Sequence, residues 1–371
     1  MKIGVDAKWL FNGHISGKLF VQNMLPELIA LHPEIDWHVF LNKNTRELEH
    51  PFKGENVHVH YVWAGFNMLS NLFVLPKYAR RLNLDAVLFQ TFSPKSKSFK
   101  SVAFIHDVLF RSYPQYFSWL ERLYFIPLKW TARRADRIIT TTQFVKQELV
   151  TLKYSTNDAI DLAPSGVTPI FQPQWQLSSR VQEHVREKFN LPEQYVLFVG
   201  RFNERKNIAG IIRALPLLDE TISLVIVGEQ DWKLPSMKNL SRHKNVKSRV
   251  HFIGAVTDNE LACIYASAKL FCFPSFAEGF GLPPLEAMAA GIPVIVSNTT
   301  AMPEVCSDVP LFVDPHNARD IADKINYLLK NRHVREEKIQ QGLRWSSQYT
   351  WKRTAEGIMK SIFAAIETTK N

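Results

Sequence analysis

Short apolar runs alternate with longer helical patterns along this chain, and they do so in two consecutive series. Apolar runs of strand length and helical patterns in alternation are typical of βαβ units around a parallel sheet. Helical patterns such as 19–31 and 119–135 lie between the runs. Two series therefore predict two α/β domains of Rossmann-like type. The strand candidates are 2–5, 37–41, 57–62, 86–90, 101–105 and 137–142, and then 195–199, 223–227, 250–253, 270–273, 293–296 and 311–313.

A stretch rich in proline and glycine separates the two series. It runs from Ala163 to Pro173, and such turn-forming segments commonly link domains. A chain of 371 residues also exceeds the usual size of one domain. We therefore predict an N-terminal domain over 1–168 and a C-terminal domain over 169–350. The helical pattern at about 351–371 is predicted to pack back on the first domain.

The charge is positive and unevenly placed. The net charge is +10, and residues 77–137 contain twelve Lys or Arg against four Asp or Glu. A patch of this kind attracts anions, such as phosphates, nucleic acid or acidic lipid, although a solvated protein face is the alternative. The same region carries many aromatic residues between 113 and 137, which is typical of a lipid headgroup surface or, alternatively, of a buried helix with a basic edge.

We find no targeting signal or membrane-spanning helix in the sequence pattern. The first residues resemble a strand and not a secretory signal, and no apolar run reaches the about 18 residues of a membrane-spanning helix. Cysteine occurs only three times and without a CxxC pair. These features predict a cytoplasmic protein, with peripheral attachment to the inner face of the plasma membrane as an extension of the basic patch.

A glycine and a basic cluster follow the first strand of the second series. The strand ends at Gly200, and Arg201 and Lys206 precede a helical pattern that starts at Ile208. Ligands of open α/β sheets bind beyond the carboxyl ends of strands. Cations beside a helix N-terminus favour a diphosphate there. Charge on an ordinary surface loop is the alternative.

Two glutamates and two glycines lie after the strand at 270–273. Glu278 belongs to the loop, and Glu286 to the helical pattern that follows. Gly279 and Gly281 would let a ligand approach the backbone closely. Carboxylates suit the paired hydroxyls of a ribose or a hexose, whereas interaction of Glu286 with the helix dipole is the alternative.

Weaker signals lie in the first domain. His106 follows the strand at 101–105 and could donate a hydrogen bond to a ligand, or it could be a structural histidine. Gly13 and Gly17 lie between the first strand and the first long helix, where a loop could approach phosphates, but they do not form GxGxxG. No Asp-x-Asp pair occurs, so no metal-bound diphosphate and no cofactor are expected.

These motifs together resemble family 4 of the retaining glycosyltransferases, which have the GT-B fold. The resemblance covers nearly the whole chain and is firmest after Tyr195. It is carried by Gly200-Arg201 with Arg205-Lys206-Asn207, by Gly254 with Asp258 and Glu260-Leu261, by the run EGFGLPPLEAMAAGIPVIVSN that starts at Glu278, and by His106-Asp107. The GT-B fold implies two Rossmann-like domains whose parallel sheets face each other across a central cleft.

The resemblance also implies a role for each matching residue. Arg201 and Lys206 would hold the donor diphosphate, and Glu286 the nucleotide ribose. Glu278 would grip the transferred hexose together with the backbone of Gly279, Phe280, Gly281 and Leu282. His106 would contact the sugar near its reacting carbon, and the backbone at Gly254 and Ala255 would face the base. One departure is that Ile15 and Gly17 occupy the two glycine positions of the family's first loop, and Lys18 occupies its arginine position.

The predicted function is transfer of a hexose, preferably mannose or glucose, from a nucleoside-diphosphate sugar to a saccharide or lipid-linked saccharide. The preference comes from a resemblance to bacterial enzymes of cell-envelope polysaccharide and lipopolysaccharide synthesis. Two alternatives remain. One is a nucleotide-sugar epimerase or hydrolase of the same fold. The other is a non-catalytic binder of anionic surfaces, although no nucleic-acid motif occurs.

Overall fold

The computed structural model describes residues 1–12, 15–228 and 244–367. The chain packs as two compact units. The first unit combines Met1–Gly166 with the C-terminal residues from Thr350, and the second is Val167–Tyr349. The chain thus leaves the first unit after Gly166, two residues before the boundary that the sequence predicts, and returns to it at Thr350.

The first unit contains a parallel sheet of seven strands in the order β3-β2-β1-β4-β5-β6-β7. The order reverses between β1 and β4, so their carboxyl ends flank the crevice where open α/β sheets bind ligands. Strands β1 to β7 are Lys2–Asp6, Asp36–Asn42, Val57–Val62, Ala86–Gln90, Lys100–Phe104, Arg137–Thr140 and Ile160–Leu162.

Helices cover both faces of this sheet. In chain order α1 to α8 are Trp9–Asn12, Ile15–Leu31, Asn67–Leu69, Leu75–Leu82, Leu109–Ser112, Trp119–Tyr124, Leu128–Ala132 and Gln143–Thr151. A π-helical segment, Ser70–Val74, joins α3 to α4.

The second unit contains a parallel sheet of six strands in the order β10-β9-β8-β11-β12-β13. Strands β8 to β13 are Tyr195–Val199, Ser223–Val227, Val250–Ile253, Leu270–Phe273, Val294–Ser297 and Leu311–Val313. Helices α9 to α16 are Ser179–Lys188, Ile208–Ala214, Lys244–Lys247, Asp258–Ala266, Leu282–Ala289, Met302–Cys306, Ala318–Lys330 and Arg332–Ser346. The four inner strands β9, β8, β11 and β12 are almost wholly buried, as expected for a parallel sheet with helices on its faces, whereas the edge strands β10 and β13 are partly exposed.

The last helix, α17 (Trp351–Glu367), packs against α2 and against strands of the first sheet. Its buried side chains Ile358 and Ile362 belong to the same core as Phe20 of α2 and Phe104 of β5. Therefore about 180 residues of the second unit separate two parts of one hydrophobic core.

Most predicted strands agree with the structure to within one or two residues, but two helices differ. The pattern at 119–135 is two short helices, α6 and α7, and not one. Pro127 lies between them, and a proline lacks the N–H that a continuous helix needs. Helix α2 begins at Ile15, four residues before the predicted start. Strand β7 was not predicted, because its three residues are too short to show a period.

Within the described parts of the chain, no helix has both the length and the apolar character needed to cross a bilayer.

Candidate active site

The strongest cluster of functional side chains lies at the carboxyl ends of β8 and β11. These strands are parallel neighbours, with Val196 opposite Leu270. Gly200 follows β8 with a φ of 152°, outside the range that most residues adopt. The segments that follow the two strands then meet, because the Phe276 N–H donates to the Arg205 carbonyl at 2.8 Å. The loop bearing Glu278 is therefore fixed against the basic cluster.

Glu278 is buried and is held by two cations, one on each carboxylate oxygen. Lys206 Nζ lies 2.7 Å from Oε1, and Arg205 Nη1 lies 2.9 Å from Oε2. Burial by itself would raise the pKa of Glu278, but Arg205 and then Lys206 lower it to about 2. Glu278 is consequently ionised at neutral pH although only 5% of the residue is exposed.

The two predicted diphosphate ligands occupy different environments. Lys206 has a side chain that is 13% exposed, and its Nζ lies 4.7 Å from the centre of the Phe273 ring. Arg201, directly after Gly200, is exposed. The structure thus brings Lys206 to Glu278 and leaves the Arg201 side chain towards solvent.

Asn207 fixes the turn between the basic cluster and α10. It has a left-handed backbone with φ of 53°, which asparagine tolerates better than most residues. Its side-chain amide donates to the carbonyls of Pro274 and Pro315 and accepts from the Gly210 N–H. The asparagine therefore caps the Gly210 N–H, one of the groups that a helix N-terminus could otherwise offer to a phosphate.

The loop from Glu278 to Leu282 enters helix α13. Gly281 has φ of 87°, and a Cβ built there would clash with the Met302 Cε. Both the backbone and the close approach of Met302 therefore require glycine. Gly279 is buried, whereas Phe280 and Leu282 are half-buried. The helix starts at Leu282.

Glu286 lies on α13 with its carboxyl group buried. The Tyr265 hydroxyl donates to its Oε2 at 2.9 Å. Burial raises the pKa of Glu286 to about 7, although the tyrosine hydrogen bond acts in the opposite direction. Glu286 is the fifth residue of the helix, beyond the first turn, so interaction with the helix dipole does not explain its position.

Two predicted backbone contacts lie after β10, an edge strand of the second sheet. Gly254 and Ala255 follow the last residue of that strand, Ile253, and both are exposed. Among the described residues, and apart from the two chain neighbours of Gly254, no atom lies within 4 Å of a Cβ built on this glycine.

His106 lies in the first unit, two residues beyond β5. Its half-buried ring packs against Phe104, Phe20 and Trp9, with ring centres 4.8, 5.3 and 5.9 Å away. Asp107 next to it accepts a hydrogen bond from the Leu109 N–H, which fixes the turn into α5. The ring is thus held by packing at the carboxyl edge of the first sheet.

The predicted glycine loop of the first unit differs from the structure. Gly17 is buried and lies in the first turn of α2, not in a loop. The helix in the structure extends further towards the N-terminus than the apolar periodicity of the sequence predicts. Gly13 lies outside the described residues.

Two family models match the chain one after the other. The model described as glycosyl transferases group 1 matches residues 180–345, and the model of Glycosyltransferase Family 4 matches residues 20–169. The chain is also 31% identical to the O-antigen chain mannosyltransferase B of Escherichia coli over 259 residues, which cover 68% of this chain and 67% of that protein. The chain belongs to the family 4 glycosyltransferases.

Other relatives of this family 4 glycosyltransferase are longer. This chain is 30% identical to the serotype-specific mannosyltransferase WbdA of Escherichia coli over a match that covers 63% of this chain. The match covers 30% of WbdA, so the chain corresponds to under a third of that protein.

Solved structures confirm the predicted GT-B fold of two Rossmann-like domains. The sucrose-phosphate synthase of Thermosynechococcus elongatus has a TM-score of 0.75 at 20% identity, covering 98% of this chain and 100% of that one. The Anabaena HepE protein, solved with UDP and glucose, has a TM-score of 0.72 at 16% identity, covering 98% and 100%. At such identities the likeness shows the fold alone.

Sequence reasoning missed two side chains at the site of this glycosyltransferase. The sequence indicates Arg205 only as part of a basic run, yet its side chain contacts the same carboxylate as Lys206. Tyr265 lies 21 residues before Glu286, and no spacing connects the two. The adjacent Arg205-Lys206 pair was a usable signal for the first, whereas the second depended on helix packing.

Proposed function

We propose that this glycosyltransferase transfers a hexose from a nucleoside-diphosphate sugar to a saccharide or lipid-linked saccharide, with retention of anomeric configuration. Mannose or glucose is the proposed sugar, and cell-envelope polysaccharide or lipopolysaccharide is the proposed product. The observation that carries the proposal is the buried, ionised Glu278 beside Lys206 at a sheet's carboxyl edge. The mannosyltransferase names of the relatives support the choice of sugar and product.

The proposed donor contacts follow the carboxyl edge of the second sheet. Lys206 and Arg201 would bind the diphosphate, and Glu278 would accept hydrogen bonds from the hexose hydroxyls, with the backbone of 279–282 beside it. Glu286 would bind the ribose, and the exposed backbone at Gly254 and Ala255 would face the base. The HepE structure with UDP and glucose supports a nucleotide and a sugar as ligands of this fold.

The proposed contribution of the first unit is acceptor binding and a contact from His106 to the sugar. Packing against Phe20 and Phe104 fixes the ring plane, which favours a directed hydrogen bond over a mobile one. Gly17 lies in the first turn of α2. A phosphate contact there would come from a helix end and not from a loop.

The proposed chemistry separates charge. Cleavage of the anomeric C–O bond leaves the electron pair on the diphosphate oxygen and positive charge on the sugar ring. The acceptor hydroxyl then forms the new C–O bond on the same face, and its proton passes to the leaving oxygen. Lys206 and Arg201 stabilise the departing diphosphate more as its charge grows, which lowers the barrier without a metal ion or another cofactor.

The proposed location is cytoplasmic, with peripheral binding at the inner face of the plasma membrane. The support is an aromatic surface on the first unit, which we define by Phe66, Phe73, Trp119, Leu123 and Trp130. Each of these side chains is more than half exposed. Helix α6 contains no buried residue, so the alternative of a buried helix with a basic edge is wrong for α6.

The two parts of this surface lie together. Tyr124 of α6 packs its ring edge-on against Phe92, at 5.4 Å, and Met68, two residues after Phe66, packs against the core cluster that contains Phe92. Arg134 stacks over Trp130, with its guanidinium 3.4 Å from the ring centre. Exposed aromatics mixed with cations suit an anionic lipid headgroup layer, where a lipid-linked acceptor would also be found.

Substitution of Lys206 tests the proposed donor site. Lys206→Ala should lower turnover at least about 100-fold, the scale of one lost transition-state contact. Transfer should be measured with GDP-mannose and UDP-glucose, after a thermal-shift screen with GDP, UDP and ADP has selected the nucleotide. Lys269→Ala, at an exposed lysine of the same unit, is the matched control and should retain activity.

The same assay with EDTA tests metal independence, since activity should persist. Near-normal turnover of folded Lys206→Ala would refute the role of Lys206, and a strict metal requirement would refute the mechanism. Conversion of the donor in the absence of an acceptor would favour the epimerase or hydrolase alternative.

A further inference from the structure

We propose that Arg205 is a positioning residue, which holds the Glu278 carboxylate for the transferred sugar while Lys206 turns to the diphosphate. This inference rests on the proposed function and adds a residue to it. Arg205 itself would not touch the donor. It would act by keeping Glu278 ionised and in place during the reaction.

The first argument is the division of contacts on Glu278. Lys206 occupies Oε1 and Arg205 occupies Oε2, at 2.7 and 2.9 Å. Because the two cations use different oxygens, Lys206 can leave without disturbing the arginine contact. Oε1 would then be open to accept a hydrogen bond from a sugar hydroxyl.

The second argument is that Arg205 is tied to the Glu278 loop at three points. Its backbone carbonyl accepts from the Phe276 N–H, and its guanidinium donates to the Ala277 carbonyl as well as to Glu278. A planar guanidinium with several donors can serve a carbonyl and a carboxylate at once, whereas an ammonium is a flexible point charge. The geometry makes arginine the fixed cation and lysine the exchangeable one.

The third argument is the cost of removing both cations. A buried carboxylate without a partner is strongly unfavourable and takes up a proton instead. Burial is the largest influence on the pKa of Glu278 and raises it, and Arg205 is the largest influence that lowers it. If Lys206 moves to a phosphate, Arg205 is the cation that keeps Glu278 a hydrogen-bond acceptor.

The test compares ligands with and without the sugar. Arg205→Met, Arg205→Lys and wild type should be titrated by calorimetry with GDP, UDP, GDP-mannose and UDP-glucose. For Arg205→Met we expect the affinity for the nucleoside diphosphate, GDP or UDP, to stay within about threefold of wild type. The affinity for the corresponding sugar nucleotide should be at least about tenfold weaker. The acid limb of the pH profile of kcat should move up by about one unit, since Glu278 would protonate more easily.

Two variants complete the experiment. Arg205→Lys should recover part of the sugar-nucleotide affinity, because it keeps a positive charge near Oε2 of Glu278. It should not recover all of it, because an ammonium cannot reproduce the planar guanidinium. This variant also supplies the comparison with wild type if Arg205→Met does not fold. Arg213→Met, at an exposed arginine on α10, should match wild type in all four titrations.

Three outcomes would overturn the proposal. An equal loss of affinity for the diphosphate and for the sugar nucleotide would make Arg205 a diphosphate ligand. Unchanged affinities together with an unchanged pH profile would give it no role. If wild type bound none of the four ligands, the proposed function would be rejected as well. This third outcome is distinguishable from the first two because it is seen in wild type and not only in the Arg205 variants.

Discussion

Two buried glutamates of the second unit have opposite pKa shifts. Burial raises the pKa of both, but Glu278 has two cations within hydrogen-bonding distance, and its pKa falls to about 2. Glu286 has a tyrosine hydroxyl instead, and its pKa rises to about 7. The neighbours, and not the depth of burial, therefore decide which carboxyl group carries a charge.

Glu286 should make the stability of the protein depend on pH. Its folded pKa of about 7 lies above the ordinary value of 4.5, so the native state holds a proton that the unfolded state releases between these values. Its contribution to the free energy of unfolding is complete below about pH 4.5 and is lost as the pH rises through 7.

Glu286→Gln removes this dependence. The variant should gain stability relative to wild type between pH 5 and pH 8, by up to about 3 kcal/mol. Thermal and denaturant unfolding at both pH values measure the gain, with Glu356→Gln, an exposed glutamate, as control. Parallel pH profiles for wild type and Glu286→Gln would show that the carboxyl group is not protonated in the fold.

At the scale of elements, α6 and α7 differ although they are neighbours in the chain. Helix α6 begins with a capping box formed by Ser118 and Glu121, and its six residues are all at least partly exposed. Helix α7 buries Leu128, Thr131 and Ala132 in the first unit. A short helix with large apolar side chains in solvent costs free energy unless a partner covers them.

The aromatic surface should bind anionic vesicles. We expect wild type to sediment with phosphatidylglycerol vesicles at low salt and less at high salt, because screening weakens attraction between Lys or Arg and the headgroups. Trp119→Ser with Leu123→Ser should lower the apparent affinity at least about tenfold, through lost apolar burial.

Trp175→Ser is the matched control, since Trp175 is exposed to a similar degree but lies in the second unit. Equal losses for Trp175→Ser and for the double variant, or no binding of wild type at low salt, would contradict a membrane role for this surface.

On the scale of the whole molecule, the chain crosses from the first unit to the second and back. Helix α17 returns to the first core, where Thr354 Oγ1 donates to the Pro164 carbonyl and Gly166 lies directly against the backbone of Trp351. The two crossing segments are thus packed side by side in the first unit. The stability of that unit depends on residues at the far end of the sequence.

Ile358→Ala should destabilise the first unit by about 2–5 kcal/mol, since it removes a fully buried side chain from the core. Hydrogen exchange followed by mass spectrometry should rise in peptides from 1–166 and stay unchanged in those from the second unit. Lys360→Ala, exposed on the same helix, should change neither. Faster exchange in both units would show that they unfold together.

Local pattern accounts for much of the fold and part of the site. Strands such as Tyr195–Val199 and Leu270–Phe273 are continuous apolar runs that could be predicted without a structure. Glu278 and Lys206 were predicted as site residues, and the structure places them in contact. Their individual functions remain predictions, as does that of His106. A proline alone does not show where a helix ends, because Pro26 lies inside the continuous helix α2 whereas Pro127 separates α6 from α7.

The sequence by itself determined the two α/β series, the family motifs and the identities of the chemical groups, because these depend on residues that are close in the chain. Only the tertiary structure decided which groups meet. Arg205 and Lys206 reach Glu278 across about 72 residues, and Tyr265 reaches Glu286 from another helix. Contacts of this kind depend on strand order and helix packing, and burial then sets the protonation of each carboxyl group. For that reason, the charge state of the site could not be predicted from the sequence.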